Sequence, residues 1–491
     1  MIKHTFISKT MLGVASLLVF SSCNKYLDQA PDMRTELNSP EKIGELLATA
    51  YPQANYITFT ESMSDNVSDK GSGAVDPDNS MPYFFKDNKN TDGDSPTNYW
   101  NAAYKAISAA NHALEIIDKQ EGTEAYKPFK GEALVARAYA HFMLVTLFSK
   151  PYSLQTSTTD PGIPYVTTTE KIVLGHYERK TVAYVYDMIE KDLKEGMPLI
   201  NDSKYKVLKY HFTRSAASAF AARFYLYKKD YNNSVKYAST VFSNGSFSAY
   251  LRPVNSTEYM SYQYNELQAQ YTRAVNPANI LLVEAPTGWG RSYATNRYGF
   301  TSELMSKLTT SANVTGGSWA YNIYGNENSI NIPKFREHFV RLTLNAESGI
   351  PYNMIPIFSA EETLFNRAEA NAMLGNFDAS INDLNDYIAS KFIVSPSLPF
   401  YDESLQISID KLMEFYDSPD RTQVLINCIL DFKRVNFLFE GERWFDIIRH
   451  GLPVQHKKSN GEILTLGPKD PQRVFQLPEE VQSSGIELNP R

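Results

Sequence analysis

Apolar residues recur along this chain every three or four positions, and two long stretches break the pattern. From Trp100 the positions Ala103, Tyr104, Ile107, Ala110, Leu114 and Ile117 form one stripe, which predicts a helix. A second stripe runs through Ala133, Ala136, Ala140, Leu144, Leu147 and Phe148, and a third through Val182, Val185, Ile189 and Leu193. Thr181 is placed to cap the third helix and Gly196 to stop it. More helices are predicted at 213–228 and 232–242, closed by Gly245, and at 360–374 and 378–390. Ser39-Pro40 reads as a helix N-cap followed by proline in the first turn.

Two of these helix pairs match by offset. Ala222, Leu226, Tyr231, Ser234, Val235 and Ala238 fall at the spacing of Ala368, Ala372, Phe377, Ser380, Ile381 and Leu384. In each pair an alanine-rich helix meets a short turn and an aromatic opens the second helix, the logic of a tetratricopeptide unit. The stretches without a period are 60–98, rich in Asp, Asn, Ser and Gly, and 246–358, rich in Tyr, Asn, Gly and Pro. The second holds the turn signals Asn276-Pro277, Gly288-Trp289-Gly290 and Gly316-Gly317, with one short strand expected at Ile280–Val283. The tail after 453 reads as mostly irregular. The expected fold is all-α, a tetratricopeptide-like helical-repeat scaffold with long irregular loops. Its expected divisions are 1–22, 23–245 and 246–491.

Composition narrows the function. A net charge of −7 argues against a nucleic-acid binder. Two cysteines, Cys23 and Cys428, cannot build a zinc site or a disulfide framework. Lys3 and Lys9 followed by the apolar run Met11–Phe20 read as a signal peptide, too short to span a bilayer. Ser21 and Ser22 then precede Cys23, an arrangement similar to a bacterial lipobox, so residues 1–22 are expected to be removed and Cys23 lipidated. There is no GxSxG, HExxH, P-loop or dinucleotide fingerprint. Asn88–Gly93 partly mimics a calcium loop, but Tyr99 stands where a bidentate Glu is needed, so a plain Asx-rich turn is expected and no metal or cofactor.

Several segments together resemble the SusD/RagB family: CNKYLDQAP at 23–31, YWNAAYKAISAANHALEII at 99–117, GEALVARAYAHFMLVTLFSKPY at 131–152, both matched helix pairs, and LPEEVQSSGIELNP at 477–490. FEGERWFDIIRHG at 439–451 is the most specific, close to a family pattern Glu-Gly-x-Arg-x-x-Asp-x-x-Arg-x-Gly. Lys433-Arg434 departs from the acid–base pair common just before that pattern. The resemblance implies a surface lipoprotein of the outer membrane in Bacteroidetes-type bacteria. Such a protein is not an enzyme: it captures oligosaccharides, or in some members peptides, and hands them to a SusC-like TonB-dependent transporter. A surface glycosidase is a further alternative.

Within 439–451, Arg443, Asp446 and Arg449 step by three, with Glu442 four before Asp446. Alternating signs at that spacing predict a charge network holding the last helix rather than an acid–base site. For the ligand surface the candidates are Trp289, Tyr293, Trp319 and Tyr321 as stacking rings, Asp65 and Asn66 as polar partners, and Trp100 beside them. Mass spectrometry of the mature N-terminus is expected to find an acylated Cys23. A free residue 24, or an uncut chain, would refute lipidation. Cys23→Ala is expected to leave a stable but mislocalised protein.

Overall fold

The structure is a computed structural model that describes residues 39–120, 123–170 and 175–491. The chain divides into two compact units, Met1–Ile43 and Gly44–Arg491. Cys23 and the signal segment lie outside the described residues. Of the first unit Ser39–Ile43 are described: they open α1 (Pro40–Leu47), where the Lys42 N–H donates to the Ser39 hydroxyl. No helix among the described residues is long and apolar enough to cross a membrane.

The second unit is helical at its centre. It contains α2 (Ile57–Met63), α3 (Pro96–Asp118), α4 (Lys127–Phe148), α5 (Val182–Gly196), α6 (Arg214–Tyr227), α7 (Tyr231–Ala238), α8 (Ala360–Leu374), α9 (Phe377–Lys391), α10 (Arg421–Asn436) and α11 (Glu442–His450). Neighbours in this series pack together, α3 on α4, α4 on α5, α6 on α7 and α8 on α9. α4 and α5 approach closely because glycines meet: a Cβ on Gly131 would lie 2.7 Å from the Gly196 carbonyl oxygen. The Thr181 hydroxyl accepts from the Tyr184 N–H at 3.2 Å and caps α5 as expected.

The two matched helix pairs, α6/α7 and α8/α9, lie side by side, with α7 packed on α8. Small residues set the approach inside each pair. Ser234 and Ser380 are fully buried at equivalent positions, and the Ser234 hydroxyl donates to the Ala222 carbonyl across the turn. The expected helical-repeat scaffold is therefore present, and its loops carry more regular structure than their sequence reveals. Stretch 60–98 holds the end of α2 and a short helix, Pro77–Tyr83. The supposed calcium-like loop folds around Asp78, whose carboxylate accepts from Asn88, Asn90 and the Asp94 N–H.

Stretch 246–358 contains an antiparallel sheet of three strands, β1 (Asn279–Pro286), β2 (His338–Arg341) and β3 (Gly349–Ser359), in the order β1-β3-β2. β1 includes the expected strand at Ile280–Val283. The tail forms a small hairpin, Val454–Lys457 with Ile463–Leu466.

The charged pattern at 439–451 closes the stack as a network. Arg443 forks onto Asp65 at 2.8 and 2.9 Å, and Arg449 forks onto Glu369 at 2.9 and 2.8 Å. Asp446 accepts from Lys433 and Arg449. Glu442 turns away from Asp446 and accepts from the Tyr56 hydroxyl at 3.0 Å. Glu440 takes Lys334 and the Tyr271 hydroxyl. Gly441 has a φ of 73°, and a Cβ there would run into Thr60 of α2, so only glycine fits.

Glu61 of α2 sits under that turn and accepts from the N–H groups of Phe439 and Gly441 and from Asn66. Burial raises its carboxyl to about 7 even though those donors and the charge of Lys334 favour the ionised form. The folded chain thus keeps a proton that the unfolded chain loses above about 4.5. This contribution to stability is complete below the unfolded value and is lost as pH rises through about 7. Denaturant unfolding is therefore expected to show wild type losing stability relative to Glu61→Gln between about pH 5 and about pH 8, by at most about 3 kcal/mol. A difference that stays flat with pH would refute the assignment.

Candidate functional site

The residues singled out from sequence fall in three places. Trp289 and Tyr293 are buried, each 3% exposed, instead of standing on an open platform. The indole N–H of Trp289 donates to the Phe439 carbonyl at 3.0 Å, and the Tyr293 ring lies 5.1 Å from that of Phe439. The physical reason is that the segment around them folds over the turn before α11, where rings fill the gap and each polar tip finds a partner. Asp65 and Asn66 also turn inward. Asp65 holds Arg443 and Arg434, while Asn66, fully buried, accepts from Arg434 at 2.8 Å and donates to Glu61. Burial alone would raise the Asp65 carboxyl, but the two guanidinium groups hold it below its ordinary value.

Trp319 and Tyr321 are half-buried. Trp319 packs against Phe392 at 4.0 Å, and the Tyr321 hydroxyl donates to Asn436 at 3.1 Å. The structure does not bring these two rings together with Trp289.

Trp100 borders a cleft of about 380 Å³. Its floor is half-buried Tyr104 over the buried Trp100 and Ile107 of α3, 5% and 1% exposed, with the Trp100 and Tyr104 rings 4.9 Å apart. One wall is Pro164–Glu170, and the other is Tyr177 with the closing segment Glu480–Ile486. The Tyr177 hydroxyl donates to Glu170 at 2.8 Å, and its backbone N–H donates to the Ser484 carbonyl at 3.1 Å. Asn101, Ser108, Ser483 and Glu480 add polar groups at the rim.

The first wall is held rigidly from beneath. Asn111 donates to the carbonyls of Val166 and Thr168, and its own carbonyl accepts from Arg137 at 2.9 Å. Arg137 forks onto Asp192, both contacts at 2.7 Å, and Asp192 also accepts from the Tyr165 hydroxyl. The Val166 N–H points at His141 Nε2 at 3.0 Å, which makes that nitrogen the acceptor and leaves Nδ1 to donate to the Arg137 carbonyl. Burial pushes the His141 imidazole down to about 3, so it stays neutral in this role.

Sequence reasoning missed Tyr104, although it lies four residues after Trp100 on the same helical stripe. It also missed Tyr177, whose partner Glu170 and neighbour Ser484 come from separate parts of the chain. Among the described residues, no group of three or more His, Cys, Asp or Glu side chains is arranged to hold a metal ion. The cleft offers an aromatic floor and a rim of hydroxyl, amide and carboxylate groups, a lining suited to holding a small polar molecule with an apolar face.

Residues 25–226 match a family model, SusD-like, described as starch-binding and associating with the outer membrane. No curated protein matches the chain. The fold is shared with solved structures. A SusD superfamily protein from Bacteroides thetaiotaomicron VPI-5482 aligns with a TM-score of 0.67 at 19% identity, covering 92% of this chain and 100% of that one. A putative sugar binding protein from Bacteroides vulgatus ATCC 8482 aligns at 0.69 and 20%, covering 93% and 99%. A SusD-like carbohydrate binding protein from the same strain aligns at 0.64 and 17%, covering 91% and 96%. With the family match over residues 25–226 and the shared fold over nearly its whole length, the chain is similar to SusD-like proteins.

Proposed function

We propose that the protein is a lipid-anchored, cell-surface glycan-binding protein of the outer membrane. In this reading it captures oligosaccharides and delivers them to a partner SusC-like TonB-dependent transporter. The match of residues 25–226 to a family described as starch-binding and outer-membrane-associated carries the reading, and Trp100, Tyr104 and Tyr177 all lie inside it. The cleft they line supports it chemically. The half-buried rings of Tyr104 and Tyr177 meet the C–H face of a pyranose while Asn101 and Ser108 take its hydroxyls. Half-buried Trp319 and Tyr321 are a second place for such a contact. The lipid anchor at Cys23 and the transporter partner follow from the family resemblance.

A hydrolytic reading has one observation in its favour: two carboxylates, Glu170 and Glu480, line the same cleft. Binding is favoured because Glu170 is already taken by the Tyr177 hydroxyl. A rise in reducing ends that Glu170→Gln abolishes would move the protein to the hydrolases.

The test is calorimetric titration against malto-oligosaccharides and a wider glycan panel, with a peptide pool alongside, since a peptide ligand is the near alternative. Tyr177→Ala, which removes a ring wall, and Ser108→Trp, which fills the cleft from the exposed face of α3, are each expected to weaken glycan binding about tenfold. Circular dichroism is expected to stay unchanged. Glycan binding at wild-type strength in both variants would remove the cleft from the function, and peptide binding alone would replace the ligand class.

A further inference from the structure

Five exposed apolar residues, among them the most exposed large apolar residue of the described chain, Leu344, crowd into one hairpin. Phe339, Val340, Leu342, Leu344 and Ile350 are 43, 44, 65, 96 and 40% exposed. All four residues of β2 are exposed, and β2 is the edge of its sheet, paired on one side to β3. An exposed apolar edge strand is a template for another strand.

The backbone shows which groups are free on that edge. The Leu342 N–H donates to the Ser348 carbonyl, so this opposed pair is hydrogen-bonded. Pairs alternate along an antiparallel ladder, which makes Val340 with Ile350 hydrogen-bonded and Phe339 with Pro351 not. Two facts agree with that phase: Pro351 has no N–H to give β2, and its carbonyl accepts from Thr287 on the other side at 2.9 Å. Phe339 and Arg341 therefore aim their N–H and C=O groups at the open edge.

We propose that this edge pairs antiparallel with the same edge of a second copy of the chain, about a two-fold axis through Phe339. Charge selects this partner and this register. Centred on Phe339, the two copies place Phe339 opposite Phe339 and Glu337 opposite Arg341, at both ends by symmetry. Moving the centre by two residues would set Arg341 against Arg341 or Glu337 against Glu337. Glu337, Phe339 and Arg341 share one face by strand alternation, and Arg291 pairs with Glu337 and lies over the Phe339 ring on that face. The rings of the two copies meet there as a cross-strand aromatic pair. Such a short strand makes a weak interface in dilute solution, which anchoring both copies to one surface would strengthen through effective concentration.

Sedimentation velocity over a concentration series tests the pairing. Wild type is expected to shift from monomer to dimer in the range of about 10–100 µM, as befits a small interface. Arg341→Glu and Glu337→Arg alone are each expected to weaken self-association at least tenfold, because each sets like charges opposite one another. Mixed in equal amounts the two variants are expected to regain it, since each mixed pair restores both oppositions. Phe339→Pro, which deletes an outward N–H that the sheet does not use, is expected to give monomer with the fold intact. A wild type that stays monomeric at about 100 µM, or a mixture no better than its parts, overturns the proposal. Monomeric protein that floats with phosphatidylcholine vesicles also overturns it and assigns the hairpin to a lipid surface.

Discussion

Three glutamates of α8 hold three arginines from distant parts of the chain, and the rest of the fold is arranged around them. Glu362 takes Arg223 of α6 at 2.6 Å through both oxygens, and Arg223 also donates to the Ile357 carbonyl of β3. Glu361 takes the backbone and guanidinium of Arg252 at 2.9 and 2.8 Å. Glu369, two turns on, takes Arg449 of α11 and the His450 ring. All three carboxylates are buried. Each pair is fully desolvated, so removing one partner strands a charge at a cost of about 3–5 kcal/mol, whereas the intact pair returns little net energy. The value of these pairs therefore lies in position. They set the register between the two helical repeats, tie the start of the long segment 246–358 to the scaffold, and lock the last helix against it.

The same burial gives opposite charge states according to partner. Burial alone would raise the carboxyls of Glu369 and Asp446, but Arg449 and His450 pull Glu369 well below its ordinary value, and Lys433 and Arg449 pull Asp446 down. Glu61 meets mainly backbone N–H groups and an amide, and stays high at about 7. The pattern from Glu440 to Arg449 thus has a physical reading. Glu440 pairs with Lys334, Gly441 allows α2 to touch the turn, and the three-residue step sends Arg443 to Asp65 and Arg449 to Glu369, with Asp446 held between Lys433 and Arg449. That step was legible in the sequence because a helix face has a period; the identity of each counter-ion was not, because it comes from far along the chain.

A similar divide runs through the fold. The stripes from Trp100, Ala133 and Val182, the Thr181 cap and the two matched helix pairs were readable, because each helix shows one face to a neighbour and spaces its apolar residues accordingly. α2 was not, since all seven of its residues are buried and no polar face marks a period. The sheet was half readable. β1 is almost continuously buried, and such a run fits a strand or a buried helix alike, while β2 is wholly exposed and has no core face to betray it. Trp289 was misplaced for a third reason. A ring in an irregular segment reads as exposed until its acceptor is known, and that acceptor, the Phe439 carbonyl, lies 150 residues away.

The cleft beside Trp100 shows how a buried network serves an open surface. Its wall at 164–170 has no regular structure that would hold it by backbone pairing. Asn111, Arg137, Asp192 and His141 supply that support instead, from α3, α4 and α5 below. A wall fixed in this way gives up its conformational freedom on folding rather than on meeting a ligand, so little of the contact energy is lost to ordering. The opposite wall, built by Tyr177 against Ser484, is tied by one backbone bond and one hydroxyl, and just beyond them Arg179 donates to the Glu487 carbonyl and to Asn489. Both walls are therefore set by folding, and the cleft keeps its width between them.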